Sequence, residues 1–259
     1  QGDTRGTGLR WICMHDGMIY EAERRRKWPG MAAVIVSVLH IRKGVSAVVA
    51  RLDGKEVPRI TAFLFHTGSD ADPAVLRANV GKSFMGCKVS GQGFIFDDND
   101  ESASPLATMH RLLAEDRRNA HVIFPYIGGA EVNESPTHRP SRHIINFVDM
   151  TEEEALRWPS ILSIVREKVK PDRIVGRLKN DPWWLYERPR PEMHQAIRGM
   201  ERVLVCSLHS KELAFSFLPA GNVFSHALAV FATTTAASLC VLQSRPHDIW
   251  ARFFGSSMK

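Results

Sequence analysis

The chain has 259 residues and no uninterrupted apolar run near the ~18–20 residues that a helical membrane span needs. The longest candidate, Met31 to Ile41, is broken by Ser37 and His40, so no membrane partner is expected. No secretory leader pattern opens the sequence. Cysteine is scarce. Cys13, Cys87, Cys206 and Cys240 form no CxxC pair, and no histidine stands at zinc-ligand spacing from them. That argues against a disulfide framework and a structural zinc site, and predicts a reducing, cytoplasmic compartment. Cys206 and Cys240 lie in apolar runs and are expected to act as small core residues. Internal repeats and low-complexity tracts are missing. So is a GxSxG nucleophile elbow, and His209-Ser210 cannot replace it if both lie on one strand, because strand neighbours point to opposite faces. Gly81-Lys82-Ser83 falls short of a phosphate loop, since the glycine required five residues before Gly81 is Leu76. Glu131, His138, His143 and Asp149 match no metal-ligand spacing, so no metal is expected.

What is present is ordinary globular material: 44% hydrophobic, 24% charged, with a formal net charge of +6. A mild basic excess fits a polyanionic partner without requiring one.

Along the chain, Leu9–Met14 reads as a short helix ended by Asp16-Gly17, and Met18–Ala22 as a strand. Arg24–Lys27 with Trp28-Pro-Gly30 reads as a basic, turn-rich connection. Ala32–Ile41 is the strongest strand candidate because it is rich in β-branched residues. Val45–Leu52 follows, turning at Asp53-Gly54 as a hairpin, with Ile60–Phe65 pairing back. The polar stretch Thr67–Pro73 is a candidate boundary. Beyond it, Val75–Val80 is weakly helical, Phe84–Phe96 is strand-like with glycine interruptions, and Asp97–Ser104 is a loop. Leu106–Arg117 places Leu106, Met109, Leu112 and Leu113 on one helical face. Thr151 and Glu154 form a capping box. Ile161–Val169 is helical in spacing and is expected to stop at Pro171. Val203–Leu208, Ala214–Leu218, Val223–Phe231 and Ser238–Gln243 read as containing short strands, and His247–Phe254 as helix.

Several segments carry a family resemblance. They are Lys88-Val-Ser-Gly-Gln-Gly-Phe94, Phe124-Pro-Tyr-Ile-Gly128, Ser141-Arg-His-Ile-Ile-Asn-Phe147, the run from Glu201 to Gly221, and Val241 to Trp250. Together they resemble the target recognition domain of the MmeI-like (type IIL) adenine-N6 DNA methyltransferases, many of which carry a fused nuclease. The resemblance implies an α/β, mixed α+β fold. Residues 1–68 would be tail strands of a Rossmann-like methyltransferase sheet, and 69–259 a mixed target recognition domain. The implied role is sequence-specific recognition of double-stranded DNA, within an enzyme that uses S-adenosylmethionine and belongs to a restriction-modification system. The chemistry is expected elsewhere. Gly86–Gly93 is glycine-rich but lacks the following helix of a cofactor turn. Asp181-Pro-Trp-Trp184 approaches the Asn/Asp-Pro-Pro-aromatic motif and lacks its second proline. No catalytic or cofactor-binding residue is therefore assigned, and the sequence is expected to be part of a longer polypeptide whose methyltransferase half precedes it.

Candidate DNA contacts follow from side-chain chemistry: arginine and lysine for phosphates and guanine edges, hydroxyls for phosphates, aromatics for stacking. They are Arg24, Arg25, Arg26, Lys27, Trp28, Ser141, Arg142, Arg202, His209, Ser210, Lys211, Arg245 and His247. Trp183-Trp184 is weighed as a stacking pair but expected in the core. Two other readings stay open: an inert fragment of a defence locus, and a non-specific nucleic-acid binder.

Overall fold

A computed structural model describes residues 5–31, 34–44, 47–72, 74 and 76–254. Gln1–Thr4, Ala32-Ala33 of the expected 32–41 strand, Val45-Ser46, Pro73, Val75 and 255–259 lie outside the described residues. The fold is α+β, with three four-stranded sheets among the described residues. Two compact units emerge: the described parts of Gln1–Leu76 with Asp248–Lys259, and Arg77–His247.

In the first unit, helix α1 (Trp11–Met14) leads through a left-handed Asp16 into strand β1 (Gly17–Lys27). The sheet runs β2-β1-β3-β4, with β2 at Ile35–Lys43, β3 at Ala50–Leu52 and β4 at Lys55–Val57. β1 is antiparallel to β2 and parallel to β3. The β3–β4 hairpin turns where expected. Asp53 (φ 51°) and Gly54 (φ 78°) supply the two positive φ angles that a two-residue type I′ turn requires. Ile19, Ala22, Ala50, Leu52, Ile60 and Leu64 form the core of this unit.

Three expectations change here. Arg24–Lys27 is the end of strand β1, not a turn; a register shift between Glu23 and Arg26, with Arg25 at φ 57°, marks a bulge. Ile60–Phe65 does not pair as a strand. It folds on itself through Thr61 N–H to Phe65 O (2.8 Å) and Leu64 N–H to Thr61 O (2.8 Å). The polar stretch after Gly68 is tied into this unit, so the division falls between Leu76 and Arg77 rather than at 68/69. Asp70 accepts the Ala62 N–H at 2.5 Å, and Asp72 pairs with Arg5 and Arg10. The closing residues from Asp248 also group with this unit, outside the 69–259 span expected for a single domain.

The second unit is built around strand β9 (Arg202–Ser207), central in the order β10-β9-β12-β5. Its partners are β10 (Phe215–Pro219), β12 (Leu228–Phe231) and β5 (Ser83–Met85). Successive side chains of a strand point to opposite faces. Val203 and Val205 accordingly enter the large core, while Leu204 and Cys206 join a smaller cluster with Phe215, Leu239 and Leu242. Both faces of β9 are covered, which explains why the run is apolar throughout rather than alternating. A third sheet, β11-β7-β8-β6, joins Val223–Phe224, Ile123–Ile127, Arg142–Ile145 and Ile95–Phe96. Helices α2 (Leu106–Glu115), α5 (Pro159–Lys168) and α7 (Pro191–Ile197) bury Met109 and Leu112, Ile161, Leu162 and Val165, and Met193 and Ile197 respectively. Between them, α3 is Gly129–Asn133, α4 is Glu152–Ala155 and α6 is Lys170–Val175. The Thr151–Glu154 capping box is formed at α4.

Other local readings are corrected. Ser238–Gln243 is not strand; α8 spans Ala236–Leu242, and the Thr235 hydroxyl accepts the Ser238 N–H as its cap. On that helix Cys240 is exposed, whereas Cys206 is buried as expected. Pro171 does not end the helical region but sits in the first turn of α6, where a missing N–H costs little. Phe84–Phe96 is mostly irregular, and two of its glycines are there for close approach. A Cβ on Gly86 would stand 2.2 Å from the Ser225 carbonyl oxygen, and one on Gly93 would stand 2.5 Å from the Lys168 Cβ.

A polar knot fixes this irregular segment. The Glu187 carboxylate, nearly buried, accepts from Lys88 Nζ (2.8 Å), Ser90 Oγ (2.5 Å) and Arg177 Nη2 (2.9 Å). Those bonds, Arg177 foremost, hold its carboxyl far below the ordinary value of 4.5. A carboxylate with a depressed folded-state pKa contributes stability above its unfolded pKa, and loses it as pH falls toward the folded value. Glu187→Gln is expected to be less stable than wild type near neutrality, with the gap narrowing steadily as pH falls below about 5 toward the depressed folded value. Urea midpoints across that range check it; a gap independent of pH would mean that the Glu187 charge contributes nothing.

Candidate nucleic-acid interface

The basic residues of β1 do not form one class. Arg24 is a clamp: its Nε and Nη2 donate to Asp53 Oδ2 (2.8 and 2.7 Å), its backbone N–H to Asp53 Oδ1 (2.7 Å), and Nη1 to the Leu64 carbonyl (3.2 Å). These bonds, the backbone one first, lower the Asp53 pKa. Arg26 pairs with Glu23 at 3.1 Å while remaining half exposed, an ion pair worth ~0–1 kcal/mol. Arg25, Lys27 and Trp28 are exposed. The bulge at Arg25 shifts the side-chain alternation, so this strand end presents its cations to solvent.

In the second unit the candidates separate by what holds them. Arg142 opens β8 and donates from Nε (2.9 Å) and Nη2 (2.6 Å) to Glu131 Oε1, with its guanidinium 5.0 Å from the Tyr126 ring centre. Glu131 is buried and its other oxygen accepts the Gly128 N–H at 2.8 Å. Arg142 therefore joins α3 to β7 and β8. Arg202 lies 4.1 Å from the Phe217 ring centre and donates to the Thr234 carbonyl at 3.0 Å. His247 has Nδ1 2.7 Å from the Leu242 carbonyl and its ring 5.9 Å from that of Phe215.

His209, Ser210 and Lys211 are exposed and lie beyond the strand, since β9 ends at Ser207. The turn is ordered by its own hydroxyls: Ser207 Oγ accepts from His209 N–H (3.4 Å), and Ser210 Oγ from Glu212 N–H (3.1 Å). Other segments meet the same end of β9. Asn133, last residue of α3, donates to Ser207 Oγ at 3.2 Å, and the loop 134–141, which includes Ser141, leaves from there. Gln243 accepts the Phe215 N–H (2.9 Å) and donates to the Leu213 carbonyl (3.1 Å), anchoring the corner between α8 and the last helix, α9 (Arg245–Phe254). The Ser207 end thus gathers the His209–Lys211 turn, the loop ending at Ser141, and the Arg245–His247 corner. Arg202 is excluded from this group. It sits at the other end of β9, roughly 17 Å away at ~3.3 Å per residue.

Arg139 and His138 were missed by sequence reasoning. Arg139 is exposed in the loop reaching Ser141, and His138 adopts φ 50° there. Only their closeness to Ser141 could have flagged them. The stacking candidates are structural: Trp183 is buried with Lys170 Nζ 5.0 Å from its ring centre, and Trp184 Nε1 donates to the Met150 carbonyl at 2.9 Å. Asp181-Pro-Trp-Trp184 is thus anchored in packing. Gly81-Lys82-Ser83 leads into strand β5 instead of a helix. No cluster of three potential metal ligands, and no helix long and apolar enough to cross a membrane, occurs among the described residues.

Arg142→Ala should cost about 3 kcal/mol, because Glu131 would stay buried without its partner. Lys211→Ala should change stability by less than ~0.5 kcal/mol. Chemical denaturation of both variants checks the division, and an unchanged Arg142→Ala would return Arg142 to the candidate contacts.

No protein-family model matches the chain, and no curated protein does. Among solved structures, the fold is similar to that of the type IIL restriction-modification enzyme MmeI, determined in complex with DNA. The TM-score is 0.66 and the identity 14%, over 100% of this chain and 35% of the other. The chain thus spans about a third of the length of the enzyme it matches.

Proposed function

We propose that the chain reads DNA sequence on behalf of an adenine-N6 DNA methyltransferase of a restriction-modification system. S-adenosylmethionine binding and methyl transfer belong, in this reading, to polypeptide outside these residues. The observation that carries it is the similarity of fold, along the whole chain, to an enzyme solved with DNA. The surface chemistry supports it. The turn His209-Ser210-Lys211 offers donors and acceptors of the kind that read base edges in the major groove. It extends from a strand fixed on both faces, so those groups are presented from a rigid base. Arg139 and Ser141 approach through the loop from Asn133, and Arg245 through the corner anchored by Gln243. In the first unit, Arg25, Arg26 and Lys27 serve as phosphate contacts, which give affinity without sequence choice. On this reading the strands before residue 68 are the tail of the methyltransferase sheet. Arg24, Arg142 and Arg202 leave the list of readers, because their guanidinium groups are committed within the protein.

The test is selection from a randomised duplex pool, with affinity measured across salt concentrations. A defined site should emerge. Lys211→Ala should relax one or two of its positions by about 1–3 kcal/mol. Arg25→Ala with Arg26→Ala should weaken all duplexes alike and flatten the salt dependence. Titration with S-adenosylmethionine should give no heat. Equal binding of every duplex would instead favour a non-specific nucleic-acid binder, and micromolar binding of S-adenosylmethionine would sink the separation of reading from chemistry.

A further inference from the structure

The link from β11 to β12 is Ser225–Ala227, which carries the chain from one four-stranded sheet of the second unit to the other. Each of its backbone N–H groups is bonded. Ser225 N–H donates to the Ile127 carbonyl (2.9 Å), His226 N–H to the Cys87 carbonyl (2.8 Å), and Ala227 N–H to Ser225 Oγ (3.1 Å). Leu228 N–H closes the link onto the Ser225 carbonyl at 2.9 Å. Ser225 is buried and Ala227 half-buried, whereas His226 between them is exposed. A link bonded in this way holds its outward side chain at a fixed point.

The β9–β12 register says where that point is. Ser207 pairs with Leu228, and the ladder runs one step further, with Leu208 N–H donating to the Ala227 carbonyl at 2.8 Å. The next residues outward on the two chains are His209 and His226. His226 therefore stands beside the start of the His209–Lys211 turn, although it reaches that end of β9 from a different connection. Neither imidazole has a hydrogen-bond partner among the described residues. His247, at the same end, differs: its Nδ1 is engaged with the Leu242 carbonyl at 2.7 Å.

We propose that His226 is a specificity-determining residue that donates its ring N–H to the N7 of a purine in the major groove. The inference rests on the reading of this chain as a DNA-recognition module and adds a reader from a second connection. An imidazole keeps one N–H in either neutral tautomer. Guanine and adenine both present N7 as an acceptor on the major-groove edge, and the pyrimidines do not. One N–H aimed at N7 thus tells purine from pyrimidine without choosing between the two purines. The backbone beneath His226 is already bonded on both sides, so contact orders only the side chain, at small cost in freedom. Sequence reasoning passed over His226 because it lies far along the chain from His209, between two apolar strands. Only the β9–β12 pairing brings the two together.

The experiment starts from the duplex that the wild-type chain selects from a randomised pool. Each purine of that site is replaced singly by its 7-deaza analogue, which lacks the N7 acceptor but keeps Watson–Crick pairing, and affinities are measured. One replacement should weaken the wild type about five- to tenfold. His226→Ala should weaken binding to the unmodified duplex by the same factor, and the 7-deaza base at that position should then cost it nothing further. Lys211→Ala should leave that 7-deaza penalty in place. The thermal midpoint of His226→Ala should match the wild type, since the side chain is exposed. If His226→Ala binds the selected duplex as tightly as wild type, or still shows every 7-deaza penalty, His226 is not a reader, while the DNA reading stands. An equal loss on all duplexes with a lowered midpoint would assign His226 a structural role and overturn the proposal. Should the wild type select no site, the DNA reading fails and this inference fails with it.

Discussion

The second unit depends on strand β9 being buried on both faces. Val203 and Val205 lock it to the large core, while Leu204 and Cys206 hold Phe215 and, through Leu239 and Leu242, helix α8. A one-residue slip turns every side chain of a strand to the opposite face, so in β9 it would exchange the residues of the two cores. The neighbours β10 and β12 take their register from it, residue against residue, from Cys206–Phe215 to Leu204–Phe231. Everything at the Ser207 end inherits that precision: the His209–Lys211 turn, the Asn133 contact and the Gln243 anchor.

Charge is used in this protein chiefly to fasten irregular chain. Arg24 with Asp53 ties β1 to the β3–β4 hairpin. Arg142 with Glu131 ties β8 to α3, and Glu187 gathers Lys88, Ser90 and Arg177 around the irregular segment before β6. A basic sequence therefore does not translate directly into a basic binding face. Among the candidate arginines, Arg24, Arg142 and Arg202 are each held by a carboxylate or a ring inside their own unit, whereas the Arg26–Glu23 pair stays half exposed at the surface.

The same distinction separates Arg173 from the clamps. It is more buried than Arg142 but lacks a carboxylate, having only two carbonyls on one nitrogen.

The sequence by itself determined the elements whose cause is local. Asp53-Gly54 makes the hairpin because two adjacent residues tolerate positive φ. Thr151 and Glu154 close a box three residues apart. Leu106, Met109, Leu112 and Leu113 make a face because 3.6-residue periodicity brings them together. Of the candidate site, the exposed turn at His209–Lys211 was legible because polar residues between two apolar runs have nowhere else to go. Tertiary structure alone decided the rest. Ile60–Phe65 is as apolar as a strand but turns, because Asp70 takes the Ala62 N–H. Ser238–Gln243 is helix because Thr235 caps it, and a short apolar run fits either state until a cap and a packing partner select one. Arg142 and Arg202 look like surface cations until Glu131 and Phe217 arrive from other parts of the chain. An arginine's role is set by what meets its five donors, and that meeting is written in three dimensions, not in the neighbouring residues.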